Sequence, residues 1–273
     1  MGITELLIFT ISGFFIGLLA GFIGIGGNII LIPLTLEIFR AHGIPSSVRT
    51  HLAYGTMLSV TAITMLSSTI RQTMQKLVLW RFVPWFVVGS LLSTQLLGGT
   101  LKNIHGSTLQ FIFATMILIL GVQWLIHRNR PDSIELCNLH IWLIVLGGIL
   151  IGVIALLTGL GGGVILIPLL AGVFGVPTKN LAGTSSAVLI FTASAAALSY
   201  LWGGIGVSGL PEGAVGYVWP QVAIAVVVGT IPGAQIGAIL NKKHASKWFR
   251  LTFASVQILM SIWMFARAIQ ELP

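Results

Sequence analysis

Two clusters of glycine interrupt the most apolar parts of this 273-residue sequence, and each can bind an anion through its backbone. The first reads GFIGIGGN at 21–28 and the second reads TGLGGG at 158–163. Glycine accepts positive φ and allows close approach of the backbone to a ligand. A helix that begins at such a break presents free N–H groups and the positive end of its dipole, which favour an anion without any basic side chain. The alternative is that the glycines only allow close packing.

Polar residues beside the clusters extend this candidate anion site. Asn28 takes the position that Gly163 holds in the second cluster, and it can either donate to a substrate oxygen or cap the following helix. The motifs YGTML at 54–58 and AGTSS at 182–186 add hydroxyls, and two matched glutamines add amides. For these groups the alternative role is hydrogen bonding between packed helices. The candidate substrate-binding residues are Gly24, Gly26, Gly27, Asn28, Thr56, Gln95, Thr158, Gly159, Gly161, Gly162, Gly163, Thr184, Ser185 and Gln235.

The residue patterns of an enzyme, a metal site or a nucleotide fold are missing from the sequence. The dinucleotide pattern G-x-G-x-x-G fails at Ile29 and Val164, and no Gly-Lys-Ser/Thr ending completes a P-loop. No histidine pair has metal-ligand spacing, and a single cysteine, Cys137, excludes a cysteine cage. Carboxylates are absent from the middle of every long apolar segment, where a proton relay would need them. We therefore expect no enzymatic activity, no metal and no cofactor.

Composition places the glycine clusters inside a membrane. The sequence is 56% hydrophobic and 7% charged, whereas soluble domains carry about 25% charged residues. Ten continuous apolar segments, several near the ~20 residues that cross a bilayer core, predict an all-α polytopic membrane protein. The formal net charge of +8 comes from basic residues scattered over short loops. This distribution indicates membrane topology and not a nucleic-acid surface.

The chain contains an internal repeat, with halves at about 5–126 and 139–268 joined by the polar loop 127–138. The two glycine clusters align without gaps at a separation of 135 positions. Each half has five apolar segments, and the second of them, 28–39 or 163–174, has only 12 residues. A helix of this length rises about 18 Å, which is short of a ~30 Å bilayer core. We therefore predict a glycine-tipped re-entrant or broken helical hairpin plus about three transmembrane helices in each half.

The number of crossings predicts the relation between the halves. One hairpin and three crossings per half make an odd number, so we expect two inverted repeats within one integral membrane domain, 1–273. The glycine tips would then meet near the middle of the membrane. Alternate loops carry ten basic residues on one side and four on the other, which predicts that the richer side is cytoplasmic. Both termini would then lie outside the plasma or inner membrane.

The paired GxGG…IPL breaks, each followed by a GT helix start and a G-x5-Q helix, resemble the TauE/SafE family of sulfite exporters and related anion permeases. The resemblance covers nearly the whole chain and implies a transporter of small anions such as sulfite or organosulfonates. The sequence departs from the family pattern at Met57, where a serine like Ser185 is expected, and at Asn28.

The expected partners are a small anion and the lipid bilayer, with no nucleic acid, and the oligomeric state is left open. The expected mechanism is alternating access between the two repeats. A membrane scaffold and a membrane-embedded enzyme are the alternatives.

Overall fold

The protein is a bundle of ten α-helices in the computed structural model, which describes residues 2–23, 27–126, 140–240 and 247–270. The only β-structure within these ranges is an isolated bridge between Val215 and Val218, so the all-α prediction is confirmed. The helices are α1 Ile3–Ile23, α2 Asn28–Ala41, α3 Ser46–Met74, α4 Val83–Gly98, α5 Gly106–Ile126, α6 Ile141–Thr158, α7 Gly163–Gly172, α8 Thr178–Gly203, α9 Pro220–Leu240 and α10 Lys247–Gln270.

The exterior of the bundle is suited to lipid. In the described ranges, five helices are long and apolar enough to cross a membrane: α1, α5, α6, α8 and α9. Large apolar side chains are exposed on the surface, among them Leu96 at 78%. None of the Lys, Arg, Asp and Glu side chains whose burial is described is buried. The protein is therefore a multi-pass membrane protein, since charges stay at the helix ends while apolar groups face outward.

Contacts along the helices determine their relative directions. On the seam between α1 and α9, Gly13 packs on Val226 and Gly21 packs on Ala234, so these helices run the same way. Other contacts between helices divide the bundle into two sets, with α1, α3, α5 and α9 running in one direction and α4, α6, α8 and α10 in the other.

Two helical hairpins return the chain to the side from which it came. The first is formed by α1 and α2, where His42 at the end of α2 pairs with Glu5 near the start of α1, Nε2 to Oε2 at 3.0 Å. The second is formed by α6 and α7, where Gly147 packs against Leu169. This is the hairpin arrangement expected from the short second segment of each half. The tip of the first hairpin, 24–26, lies outside the described residues.

Each half of the chain sends one helix into the other half. Helix α9 packs on α1 and α3, and α4 packs on α6 and α8. The seam between α1 and α9 is lined by glycines at every fourth position on both helices, so the two backbones touch. These glycines are Gly13, Gly17, Gly21, Gly229, Gly233 and Gly237. We call α1, α2, α3 and α9 the first unit and α4, α6, α7 and α8 the second unit.

Candidate functional site

The two glycine breaks are joined by one buried asparagine at the middle of the bundle. Asn28, the first residue of α2, donates from Nδ2 to the carbonyl oxygen of Gly159 at 2.6 Å and to that of Met57 at 3.3 Å. Thr61 donates from Oγ1 to Asn28 Oδ1 at 2.9 Å. All three of these hydrogen bonds join the Asn28 side chain to residues outside its own helix. It therefore ties the first break to the second, and we call this point the junction.

The second break requires glycine for both conformation and space. Gly159, Gly161 and Gly162 have φ of 67°, 74° and 86°, in the left-handed region that other residues rarely adopt. A Cβ atom at Gly159 would lie 2.7 Å from Tyr54 Cγ, and one at Gly162 would overlap Ile151. The chain therefore turns sharply against packed neighbours as it passes from α6 into α7.

The electrostatic character of the junction comes from the backbone. Helices α2 and α7 both begin there, after Gly27 and Gly162. Each packs on the long helix that follows it, α2 on α3 and α7 on α8, and runs back against it. Because α3 and α8 are antiparallel, α2 and α7 leave the junction in opposite directions, with both N-terminal ends facing it. The positive ends of the two helix dipoles therefore favour an anion, although no described Lys or Arg is buried.

A cavity of about 10 Å³ adjoins the junction, with room for about one water molecule. Its lining includes Gly27 and Asn28 together with hydroxyl groups from Thr61, Thr64 and Thr230. Thr64 donates from Oγ1 to Thr230 Oγ1 at 2.7 Å, which links α3 to α9. This space is too small for a polyatomic anion in the conformation described.

The threonine of each GT motif binds the backbone of a linker between two helices. Thr56 accepts a hydrogen bond at Oγ1 from the backbone N–H of Trp219 at 2.9 Å, just before α9. Thr184 accepts one from the backbone N–H of Leu79 at 3.0 Å, in the linker before α4. The glycine that precedes each threonine packs on a carbonyl two residues earlier in the same linker. The structure thus places both threonines against the linkers that lead into α9 and α4, the two helices that the halves of the chain exchange.

The matched glutamines have different surroundings. Gln235 is half buried, and its Nε2 donates to Ser67 Oγ at 3.0 Å and to the Ser67 carbonyl oxygen at 3.3 Å. Gln95 is exposed on the outer face of α4. The structure therefore does not bring Gln95 to the junction, and Gln235 bonds to α3.

The remaining candidates lie at the second break or outside the described residues. Thr158 is fully buried at the end of α6, where its Oγ1 donates to the carbonyl of Ile154 at 2.7 Å and accepts from an N–H within the break. Gly163 begins α7, and Ser185 is buried in α8. Gly24 and Gly26 lie outside the described residues.

Comparison with known proteins identifies the family. The model of the family described as sulfite exporter TauE/SafE matches residues 9–264. The chain belongs to the TauE/SafE family. It is 27% identical over 257 residues to a probable membrane transporter protein of Methanocaldococcus jannaschii, with 93% of each chain covered. It is 25% identical over 264 residues to one of Haemophilus influenzae, with 97% of this chain and 99% of that one covered. No solved structure matches the chain.

A polar stripe on α3 of this TauE/SafE protein was missed by sequence reasoning. Thr61, Thr64, Ser68 and Gln72 are spaced by three or four residues, so they share one face of the helix, and all four are buried. The sequence does indicate this stripe, because the four polar residues recur at the spacing of one helix face within a predicted apolar segment. The family membership predicted from the repeated glycine breaks is confirmed, and the chain is a member of a membrane-transporter family.

Proposed function

We propose that this protein is a secondary transporter that binds a small anion at the junction of its two glycine breaks. Its family supports transport in general. The observation that carries the specific site is the 2.6 Å hydrogen bond from Asn28 to Gly159, which brings the starts of α2 and α7 together. Backbone N–H groups and the Thr61 hydroxyl are donors without formal charge, so they suit an anion that must leave again. The proposed substrate class is sulfite, which the family description names, together with small organosulfur or organic anions, which the resemblance to the family implies.

The two halves are inverted repeats in this proposal. The directions of matching helices support it, because α1, α3, α4 and α5 run opposite to α6, α8, α9 and α10, respectively. Matching hydroxyl pairs add support. Thr64 donates to Thr230 at 2.7 Å between α3 and α9, and Thr192 donates to Ser90 at 2.9 Å between α8 and α4.

Alternating access is proposed to arise from movement of the first unit against the second. These units differ from the sequence halves, because α4 and α9 are exchanged. Asn28 belongs to the first unit and Gly159 belongs to the break between α6 and α7 of the second. Their hydrogen bond therefore has to open when the units separate, and an anion at the junction takes over donors that the closed state uses internally.

The charge distribution supports an orientation with both termini outside the plasma or inner membrane. Helix directions place Arg71, Lys76, Arg81 and Lys179 together at one end of the bundle, which we call the basic end. The opposite end carries four other basic residues and is balanced there by Glu5, Glu37 and Glu212. We propose that the basic end faces the cytoplasm, in accordance with the positive-inside rule.

Flux measurements in sealed liposomes test this function. Purified protein would be reconstituted and given radiolabelled sulfite, sulfate and a small organosulfonate, with and without proton or sodium gradients. We expect saturable movement of one anion, reduced to the level of empty liposomes by Gly161→Val. Equal flux in the variant and the unchanged protein would exclude the break as the site. Absence of flux for every anion and gradient, with folding verified, would contradict sulfur-anion transport.

A further inference from the structure

We propose that Gln72 is the gate between the junction and the basic end of the protein. This inference rests on the proposed transport function and assigns a residue to one of its two access routes. It follows from three features of the molecule: a polar stripe that leads from the junction to the basic end, an amide that bridges three helices, and a buried oxygen that has no partner.

The polar stripe on α3 extends from the junction toward the basic end. Thr61 and Thr64 line the cavity beside Asn28. Ser68 and Gln72 follow on the same face, and Gln72 lies about 12 Å beyond Thr64 along the helix axis. Arg71 and Lys76 then mark the end of α3. Polar side chains therefore follow one another from the cavity to the surface on this side.

In the opposite direction the buried polar side chains of α3 are bonded to neighbouring elements: Thr50 accepts from Gln110 Nε2 at 2.8 Å, and His51 Nε2 contacts the carbonyl oxygen of Leu101 at 3.1 Å. The preceding turns of α3 carry Tyr54 and His51, and both are buried among other aromatic rings. The Tyr54 hydroxyl donates to the carbonyl of Leu109 at 3.1 Å, and the Tyr200 hydroxyl donates to that of Leu156 at 2.7 Å. These hydroxyls are engaged with helix backbone, and the rings block this side. The polar route from the junction thus leads to the basic end.

Gln72 crosses this route and connects three helices. Its Nε2 donates to Ser68 Oγ at 2.9 Å on its own helix and to Ser186 Oγ at 3.4 Å on α8. It also approaches the carbonyl oxygen of Gly21 on α1 at 3.5 Å. Since α1 and α3 belong to the first unit and α8 to the second, this amide is one of the contacts that join the two units above the cavity, within the packing of α3 on α8. Separation of the units on this side requires these contacts to break.

The other end of the same amide lacks a partner in the closed state. Gln72 is fully buried, and its Oε1 atom accepts no hydrogen bond from the described residues. It faces Gly183, where an added Cβ would lie 3.1 Å away. Because buried polar atoms are almost always paired, an unpaired acceptor favours a conformation that admits water. In the proposed gate, the Nε2 contacts hold the closed state, and opening lets water reach the Oε1 atom.

Cysteine accessibility tests the gate without a known substrate. The only cysteine is removed by Cys137→Ser, and Thr64→Cys places a reporter in the cavity below Gln72. Reaction with a membrane-impermeant, sulfonate-bearing methanethiosulfonate would be timed in intact cells and in inverted vesicles, so that each end of the bundle is exposed in turn. Gln72→Ala should speed labelling from the basic end about tenfold, the effect expected from the loss of one or two buried hydrogen bonds. Labelling from the other end should not change.

Controls separate a gate from general loosening. Gln221→Ala removes an exposed amide at the start of α9 and should leave both rates unchanged. Gln72→Met keeps the length of the side chain without its donors, and it replaces Gln72→Ala if that variant elutes as an aggregate. Unchanged labelling in the folded variant, or equal acceleration from both ends, would overturn the gate. Faster labelling from the basic end without flux of any anion would keep the gate and contradict the transport function proposed above.

Discussion

The Nδ2 atom of Asn28 lies 2.6 Å from the carbonyl oxygen of Gly159, although 131 positions separate the two residues in sequence. This contact joins the start of α2 to the turn between α6 and α7, and through them the two packing units. The two breaks differ in a polar side chain at this position, where Gly163 is equivalent to Asn28, and at Thr158, which is equivalent to Ile23. The site is therefore asymmetric, with one amide that serves both breaks.

Replacement of Asn28 tests the junction directly. Asn28→Ala removes two donated bonds and the acceptor used by Thr61, so we expect a loss of about 1–3 kcal/mol in stability and a strong loss of flux. Asn103→Ala, at an exposed position, is the matched control and should leave both unchanged. Thermal unfolding in detergent and liposome flux measure the two effects. Full flux in Asn28→Ala would place the anion elsewhere.

At the second break, the cost of backbone conformation can be measured separately from the cost of steric overlap by comparing Gly162 with a glycine that has open space around it. Gly162 and Gly206 both have positive φ, at 86° and 78°, but only Gly162 would bring an added Cβ into a neighbour, Ile151. Both alanine substitutions should cost about 1–2 kcal/mol through backbone strain. Gly162→Ala should lower the free energy of unfolding further than Gly206→Ala does, because the added Cβ pushes α7 away from Ile151 of α6. Of the two variants, only Gly162→Ala should reduce flux. Equal melting temperatures and equal flux for the two variants would contradict this account of the break.

The matched glutamines should respond differently to truncation. Gln235→Ala loses its bonds to Ser67 and should be destabilised by about 1 kcal/mol. Gln95→Ala removes an exposed side chain on the outer face of α4 and should change neither melting temperature nor flux. Reduced flux in Gln95→Ala, with normal stability, would restore Gln95 as a substrate contact.

Replacing the threonines of the GT motifs should lower the stability of the protein and leave its affinity for substrate unchanged. Thr56→Val and Thr184→Val each leave a linker N–H without its acceptor, at Trp219 and at Leu79, and we expect about 1–3 kcal/mol of destabilisation in each. The concentration of anion at half-maximal flux should stay as in the unchanged protein. Thr115→Val, at an exposed position on α5, provides the control for a loss of hydroxyl. A raised half-maximal concentration at normal melting temperature would indicate direct contact with substrate.

Sequence reasoning predicted the elements of the fold more fully than the contacts within the site. The ten apolar segments correspond to ten helices in the described ranges. The fourth segment spans about 77–98 in the sequence, but its helix, α4, begins only at Val83. Pro84 accounts for the later start, because proline favours the first turn of a helix and lacks the N–H needed further inside. Gly159, Gly161 and Gly162 were identified as a break, and their positive φ agrees. The polar stripe on α3 was missed because its residues are separated by three or four positions and form no contiguous motif in the sequence.

What the sequence by itself determined is the set of helices and the positions of the breaks. A bilayer core demands long apolar segments with paired backbone groups, and a tight turn demands glycine, so both requirements can be identified from local sequence. Tertiary structure alone decided which polar groups meet. It brought Asn28 to Gly159, left Gln95 on the exterior and directed Thr56 and Thr184 to linkers. These outcomes depend on the rotation of each helix about its axis and on the exchange of α4 and α9, which close backbone packing at small residues controls.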